Sequence, residues 1–302
     1  MTPPRIVIAE PLTQAATAWL AERAGVVLAT PDTLRHELSG AVALVVRTYT
    51  AVDQALLDAA PQLRVVGRAG VGLDNIDTDA CAQRGVRVVH TPDANTDAVV
   101  EYVLAAVFSH LRPAPPMPLG TDQRSWNAAR ADAMAPKELR ECTVGVWGLG
   151  RIGSAAARAM TPLAGRVIYH DLRDIASADR SGAEPVSRDE LLAQSDILTL
   201  HVDGRPENRH LVDAEALALL KCDALLINAS RGMVVEARAL ARHAHAHPAF
   251  GATIDVHDPE PVPADHPLRA CDRVVLTPHT AAATARAKAA MSWVVKDVWD
   301  AL

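Results

Sequence analysis

The chain has 302 residues, which is long for one domain and suited to two. Hydrophobic residues make up 49% and charged residues 22%, the balance of a folded protein and not a disordered one. A formal charge of −6 with 3% aromatic residues gives neither the basic face nor the stacking platform of a nucleic-acid binder, and no apolar run approaches the ~20 residues of a membrane span.

The start, Met1-Thr-Pro-Pro-Arg-Ile-Val-Ile-Ala9, enters a strand-like run at once, with no signal-peptide core. Cys81, Cys142, Cys222 and Cys271 show no paired spacing, so neither a disulfide frame nor a metal site is expected. A cytoplasmic α/β enzyme is the expectation. Strands are predicted at Arg5–Ala9, Val26–Ala29, Ala43–Val46, Val65–Gly67 and Val86–His90, with helices near Thr13–Ala24, Asp53–Ala59 and Asp77–Arg84. This alternation predicts parallel strands with crossover helices. A long apolar helix, Asn95–Leu111, follows, and then a Pro-rich break from which Arg112–Pro136 reads as irregular loop.

A second series runs through strands at Thr143–Trp147, Arg166–His170, Ile197–His201, Ala224–Asn228, Gly251–Asp255 and Arg273–Leu276. Helices are predicted near Arg151–Leu163, Asp213–Leu219, Val234–His245 and Thr284–Ala301. Six strands with intervening helices fit a doubly wound dinucleotide-binding domain.

The first strand of that series opens into Val144-Gly-Val-Trp-Gly148-Leu-Gly150-Arg-Ile-Gly153. A G-x-G-x-x-G run between a strand and a helix is a dinucleotide fingerprint. Gly148 permits the tight turn, Gly150 the approach of a pyrophosphate, and Gly153 close helix–strand packing. The amides of Arg151 and Ile152 would face the phosphates, backed by the helix dipole. The next strand ends in Asp171, an acid placed to accept the ribose hydroxyls and repel a 2′-phosphate, which favours NAD. Arg173, two residues on, is a group that can tolerate a 2′-phosphate. No Tyr-x-x-x-Lys is present, and the glycine loop lies mid-chain, both of which count against a short-chain reductase.

Three later segments follow predicted strands, where open α/β sheets bind ligands: Asn228-Ala-Ser-Arg231-Gly, Asp255-Val-His-Asp-Pro-Glu260-Pro and Thr277-Pro-His279. Reducing a 2-keto acid requires a cation for the carboxylate, which Arg supplies through two parallel hydrogen bonds. It also requires a proton donor near neutral pKa, which suits His, and an acid beside that His would orient it and hold its charge.

With these motifs, the sequence resembles the D-isomer-specific 2-hydroxyacid dehydrogenase family, in particular its 3-phosphoglycerate dehydrogenases. Gly67-Arg-Ala-Gly-Val-Gly-Leu-Asp-Asn-Ile-Asp77 resembles the family's substrate loop, and Pro263-Ala-Asp-His-Pro-Leu268 also fits its pattern. The resemblance implies a catalytic Arg231, a Glu260–His279 pair and Asp255 near the nicotinamide. It implies cofactor contacts from His201, Val202, Ala229, Ser230, Arg231, His279, Ala281 and Ala282. Substrate would be held by Arg231, His279 and the Ala69-Gly70-Val71-Gly72 loop, with Arg47 and Arg68 on a phosphate or other second anion. It further implies a Rossmann NAD-binding domain, 93–283, and a flavodoxin-like substrate domain, 1–92 plus 284–302, with the active site in the cleft between them. Asn95–Leu111 and Thr284–Ala301 would be the crossing helices, and a homodimer would form through the nucleotide domain.

The chain departs from the family pattern at Ala281 and Ala282, where glycines are common, and at His257, where an aromatic residue is usual. His279 counts against a formate dehydrogenase, which resembles the pattern with Gln there. A glyoxylate or hydroxypyruvate reductase is the alternative enzyme. A cofactor-sensing corepressor would need peptide-binding surfaces or disordered tails, which the sequence does not show. His243, His245 and His247 before Pro248 read as a solvated, fraying helix end and not a metal site.

Overall fold

The computed structural model describes residues 3–113 and 122–302. They divide into two compact units, Met1–Asn95 with Ala282–Leu302, and Thr96–Ala281. The resemblance implies divisions at 92/93 and 283/284, and these units divide at 95/96 and 281/282.

The first unit alternates β1 (Arg5–Ile8), α1 (Gln14–Ala21), β2 (Gly25–Leu28), α2 (Leu34–Glu37), β3 (Ala43–Val46), α3 (Gln54–Asp58), β4 (Val65–Arg68), α4 (Thr78–Gln83) and β5 (Arg87–His90). All five strands are parallel, in the order β2-β1-β3-β4-β5. The Ala-Leu-Val-Val run of β3 is buried along its whole length, as a central parallel strand covered on both faces must be. Asp53 and Asp77 start α3 and α4 by accepting the Leu56 and Ala80 amides at 2.8 Å. The chain leaves β1 toward β2 on one side and returns as β3 on the other, which puts a topological switch point between β1 and β3.

The second unit contains α5 (Thr96–Leu111), α6 (Gln123–Asp132), β6 (Thr143–Trp147), α7 (Arg151–Met160), β7 (Arg166–His170), β8 (Glu184–Pro185), α8 (Arg188–Gln194), β9 (Ile197–Leu200), α9 (Ala214–Leu219), β10 (Leu225–Asn228), α10 (Ala237–Ala246), β11 (Gly251–Ile254) and β12 (Val274–Leu276). Its seven parallel strands run β12-β11-β10-β9-β6-β7-β8, with the switch point between β6 and β9. The fold is therefore two doubly wound parallel-sheet layers, as the sequence pattern predicts.

The structure corrects several local expectations. The stretch read as loop carries α6, started by the Asp122 carboxylate accepting the Ser125 amide at 2.7 Å; residues 114–121 of that stretch lie outside the described residues. Two elements are not expected from the sequence: β8, which extends the sheet edge beyond β7, and α8, which packs on β6 and β7. The helix expected over 284–301 is two, α11 (Ala285–Ser292) and α12 (Val294–Asp300), separated at Trp293. Nor is the His243 end of α10 fully solvated: the His243 ring packs edge-on against Phe250 at 4.7 Å.

Both helices return to the first unit, where α12 packs on β3, β4 and β5. Its approach explains Gly67, since a Cβ there would lie 2.2 Å from Val298 Cγ2. Among the described residues no helix is long and apolar enough to cross a membrane, and no cluster of His, Cys, Asp or Glu is placed to hold a metal.

Candidate active site

In the second unit the glycine loop bridges β6 and α7 at the switch point. Gly148 has φ +92°, and a Cβ on it would stand 2.7 Å from the His201 carbonyl oxygen. A Cβ on Gly153 would meet the Gly148 oxygen at 1.9 Å, so only glycine lets α7 pack this close. Gly150 faces open space, with no atom within 4 Å of where its Cβ would be. Arg151 and Ile152 form the first turn of α7, a helix N-terminus suited to an anion. The loop borders a cavity of about 470 Å³ whose walls include Asp171, Arg173, His201 and Val202. These features fit the adenosine and pyrophosphate of a dinucleotide.

Asp171 Oδ2 accepts the Leu149 amide at 2.7 Å and ties the glycine loop to the end of β7. Arg173 closes over the same carboxylate with its amide, Nε and Nη2, at 2.9–3.0 Å. Burial pushes the Asp171 carboxyl up, but the Arg173 guanidinium and the two amides outweigh it and hold it below the usual range. His201 Nε2 lies 3.0 Å from Thr199 Oγ1, and enclosure of the ring lowers its pKa to about 4, so it is neutral at physiological pH.

At the end of β10, Asn228 moulds the next turn. Its fully buried amide oxygen accepts the Ser230 amide and hydroxyl at 3.1 and 2.8 Å, and its Nδ2 donates to the Arg231 carbonyl at 3.0 Å. Ala229, Ser230 and Arg231 are thereby set beyond the strand's carboxyl end. Gly232 brings this turn against the Glu260 segment: a Cβ there would stand 2.0 Å from the His257 carbonyl carbon.

Glu260 and His279 are brought together, with Nδ1 of His279 3.0 Å from Glu260 Oε2. The other carboxylate oxygen accepts the His257 amide at 2.9 Å. The pairing assigns the proton on Nδ1, so Nε2 is left to exchange a proton with a ligand. His279 itself sits at φ +54°, a conformation costing a non-glycine residue on the order of 1–3 kcal/mol. Asp255, fully buried, supports it. Its Oδ1 accepts the Thr277 hydroxyl at 2.6 Å and the Thr280 amide at 2.7 Å, and its Oδ2 accepts the Ala281 amide at 2.8 Å. Tyr102 on α5, not singled out in the sequence, donates to the Thr277 hydroxyl at 2.6 Å. Ala281 is buried beside Asp255, and Ala282 opens the return to the first unit.

The residues read as substrate ligands Arg47, Arg68 and Ala69–Gly72 lie in the first unit. Val46 pairs with Arg68 across β3 and β4, so both arginines stand at the carboxyl ends of neighbouring strands. The Arg68 guanidinium lies over Gly70, where a Cβ would be 1.2 Å from Nη1. Gly70 and Val71 are held from β5, through the Thr91 amide on the Gly70 carbonyl at 3.2 Å and His90 Nδ1 on the Val71 carbonyl at 3.0 Å; Gly72 follows in the same loop.

Sequence reasoning missed Glu10. Standing after β1 at the switch point, its carboxylate accepts the amides of Arg47, Thr48, Tyr49 and Thr50 at 2.9–3.2 Å. Burial pushes this carboxyl up, but the four amides prevail and hold it below the ordinary value. An acid directly after a central strand was the available signal.

A family model described as D-isomer specific 2-hydroxyacid dehydrogenase, NAD binding domain, matches residues 104–281. The D-3-phosphoglycerate dehydrogenase of Mycobacterium tuberculosis (strain ATCC 25618 / H37Rv) is 37% identical over 294 residues, 95% of this chain and 54% of that protein. The chain thus spans about half the length of the phosphoglycerate dehydrogenases it matches. The (S)-sulfolactate dehydrogenase of Chromohalobacter salexigens is 38% identical over 263 residues, covering 86% of this chain and 84% of that one. Among solved structures, Aquifex aeolicus D-lactate dehydrogenase complexed with NAD and lactic acid matches with TM-score 0.82 and 26% identity, over 98% of this chain and 94% of the other.

Proposed function

Because the chain belongs to the D-isomer-specific 2-hydroxyacid dehydrogenase family, we propose that it is an NAD-dependent enzyme interconverting a small 2-hydroxy acid and its 2-keto acid, one that carries a second anionic group. The observation that carries this reading is the Glu260–His279 pair, 3.0 Å apart in the same unit as the glycine loop. Bound NAD(H) supplies or accepts the hydride at the substrate's C2.

In reduction, His279 Nε2 gives its proton to the C2 oxygen as that carbon becomes CH–OH, and in oxidation it takes the proton back. Glu260 holds the ring through Nδ1 and faces the positive charge that His279 carries before donating. Arg231 binds the substrate carboxylate and aligns the carbonyl with His279. Arg47 and Arg68 favour a phosphate or sulfonate at the far end of the substrate; the names of two relatives, phosphoglycerate and sulfolactate dehydrogenase, point the same way.

A homodimer through the second unit belongs to the same proposal. The described side chains of α6 are all exposed, and Trp126 and Met134 are 42% and 78% exposed, apolar surface that a second copy can cover. The unpaired cysteines suit a reducing, cytoplasmic setting.

The test is the consumption of NADH by the purified protein with phosphohydroxypyruvate, sulfopyruvate, glyoxylate and pyruvate. Turnover highest with either of the first two supports the reading. Highest turnover with glyoxylate points instead to a glyoxylate reductase, and no turnover with any acid points to a cofactor-binding protein without catalysis.

A further inference from the structure

We propose that His257 is a positioning residue that locks the three site segments of the second unit into one geometry. It touches all three. Its carbonyl lies against Gly232, directly after Arg231, where even a methyl group would collide. Its amide donates to Glu260 Oε1 at 2.9 Å. Its ring Nε2 lies 2.9 Å from the carbonyl oxygen of Thr277. A carbonyl only accepts, so Nε2 carries the proton; Nδ1 is buried and makes no hydrogen bond.

At the turn before His279, whose amide the Asp255 carbonyl accepts at 2.9 Å, the Thr277 carbonyl is a second acceptor. It takes the His279 amide at 3.0 Å, across Pro278, and His279 is held there at φ +54°. The contacts therefore close a ring: His257 amide to Glu260, Glu260 to His279, His279 amide to Thr277, and Thr277 back to the His257 ring. Asp255 and Tyr102 hold Thr277 by its hydroxyl, and the His257 ring adds a separate side-chain hydrogen bond to its carbonyl. His266 backs the ring edge-on at 6.3 Å and is itself buried. A strained turn stays formed only where its surroundings over-determine it, and His257 is one of those constraints.

The hydride-transfer reading underlies only the kinetic arm of the test. His257→Phe keeps a ring of similar size and loses the donor. His257→Gln keeps an N–H at the same reach from the backbone. Phe should lower kcat about tenfold or more, the scale of a misplaced catalytic group, with KM for NADH within about twofold of wild type. Gln should restore most of kcat. Independently of turnover, the His279 Nδ1 proton, assigned by its absence in His279→Gln, should give a downfield NMR resonance that is lost or moved in the Phe variant and kept in the Gln variant. A Phe variant with wild-type kcat or an unmoved resonance, or a Gln variant as impaired as Phe, overturns the proposal. If no 2-keto acid is reduced by the wild type, the functional reading fails and the resonance alone decides the role of His257.

Discussion

The Arg173 guanidinium sits on both oxygens of Asp171, with Nε 3.0 Å from Oδ1 and Nη2 3.0 Å from Oδ2. The Leu149 and Arg173 amides occupy the remaining positions, so all four lone-pair sites of the carboxylate are engaged. A ribose diol reaches Asp171 only by displacing the guanidinium. Arg173→Ala should therefore tighten ADP-ribose roughly two- to fivefold, the scale of an exposed ion pair. The same variant should weaken the 2′-phosphorylated analogue, which then meets an unshielded carboxylate. Isothermal titration of both ligands measures this, and weaker binding of both would show that Arg173 holds the nucleotide instead of competing with it.

Removing the proton donor should be costly while leaving the cofactor site intact. His279→Gln is expected to lower kcat by at least about 100-fold, with NADH affinity, read by fluorescence, close to wild type. Glu260→Gln should lose less, since a neutral amide oxygen can still accept the Nδ1 proton without supplying charge. Near-wild-type turnover in His279→Gln would remove that residue from the chemistry.

Arg47→Leu separates the two ends of the proposed substrate. KM should rise about tenfold or more for an acid with a phosphate or sulfonate tail, since a charge-assisted hydrogen bond is lost. KM for glyoxylate, which has no such tail, should stay near its starting value. Steady-state kinetics on both substrates decide the matter; equal losses would mean that Arg47 acts on the shared carboxylate or only on the fold.

Glu10 gives a pH dependence whose sign follows from its lowered pKa. A carboxylate depressed in the folded state stabilises fully above its unfolded value of about 4.3, and that stability is lost as pH falls through the folded pKa. Wild type should therefore exceed Glu10→Gln in thermal midpoint by a constant margin at neutral pH. The margin should narrow below about pH 4.3. A margin that persists unchanged into acid would show that the four amide bonds do not depend on the charge.

Gly67→Ala should destabilise by about 1–3 kcal/mol, the range for overpacking a filled core, because its methyl would enter the space of Val298. Val298→Ala in the same chain should recover part of the loss. Denaturant titration of the single and double variants tests the coupling, and strict additivity would place the strain elsewhere.

The parallel strands were legible in the sequence because both faces are covered and the apolar runs are unbroken: β9 and β10 are buried at every position. By contrast, α6 has an exposed side chain at every described position and so leaves no apolar stripe to read, only the Asp122 cap. For α8 the signal was present, since Ser187 and Glu190 form a reciprocal capping box. Arg231, Glu260 and His279 could be picked out because each follows the carboxyl end of a strand. Glu10 and His257 draw their significance from contacts with segments far along the chain, which no local pattern encodes. The sequence shows His257 as unusual without showing what its ring would meet.

The placement of α12 has a consequence for biosynthesis. The five strands of the first unit are translated first, yet the helix that covers β3, β4 and β5 comes after the whole of the second unit in the sequence. While Thr96–Ala281 is being made, a continuous stretch able to collapse as it leaves the ribosome, the apolar surface around Gly67 has no partner. The nascent N-terminal sheet is thus the segment most in need of chaperone protection, and its completion must wait for a stretch translated long after it.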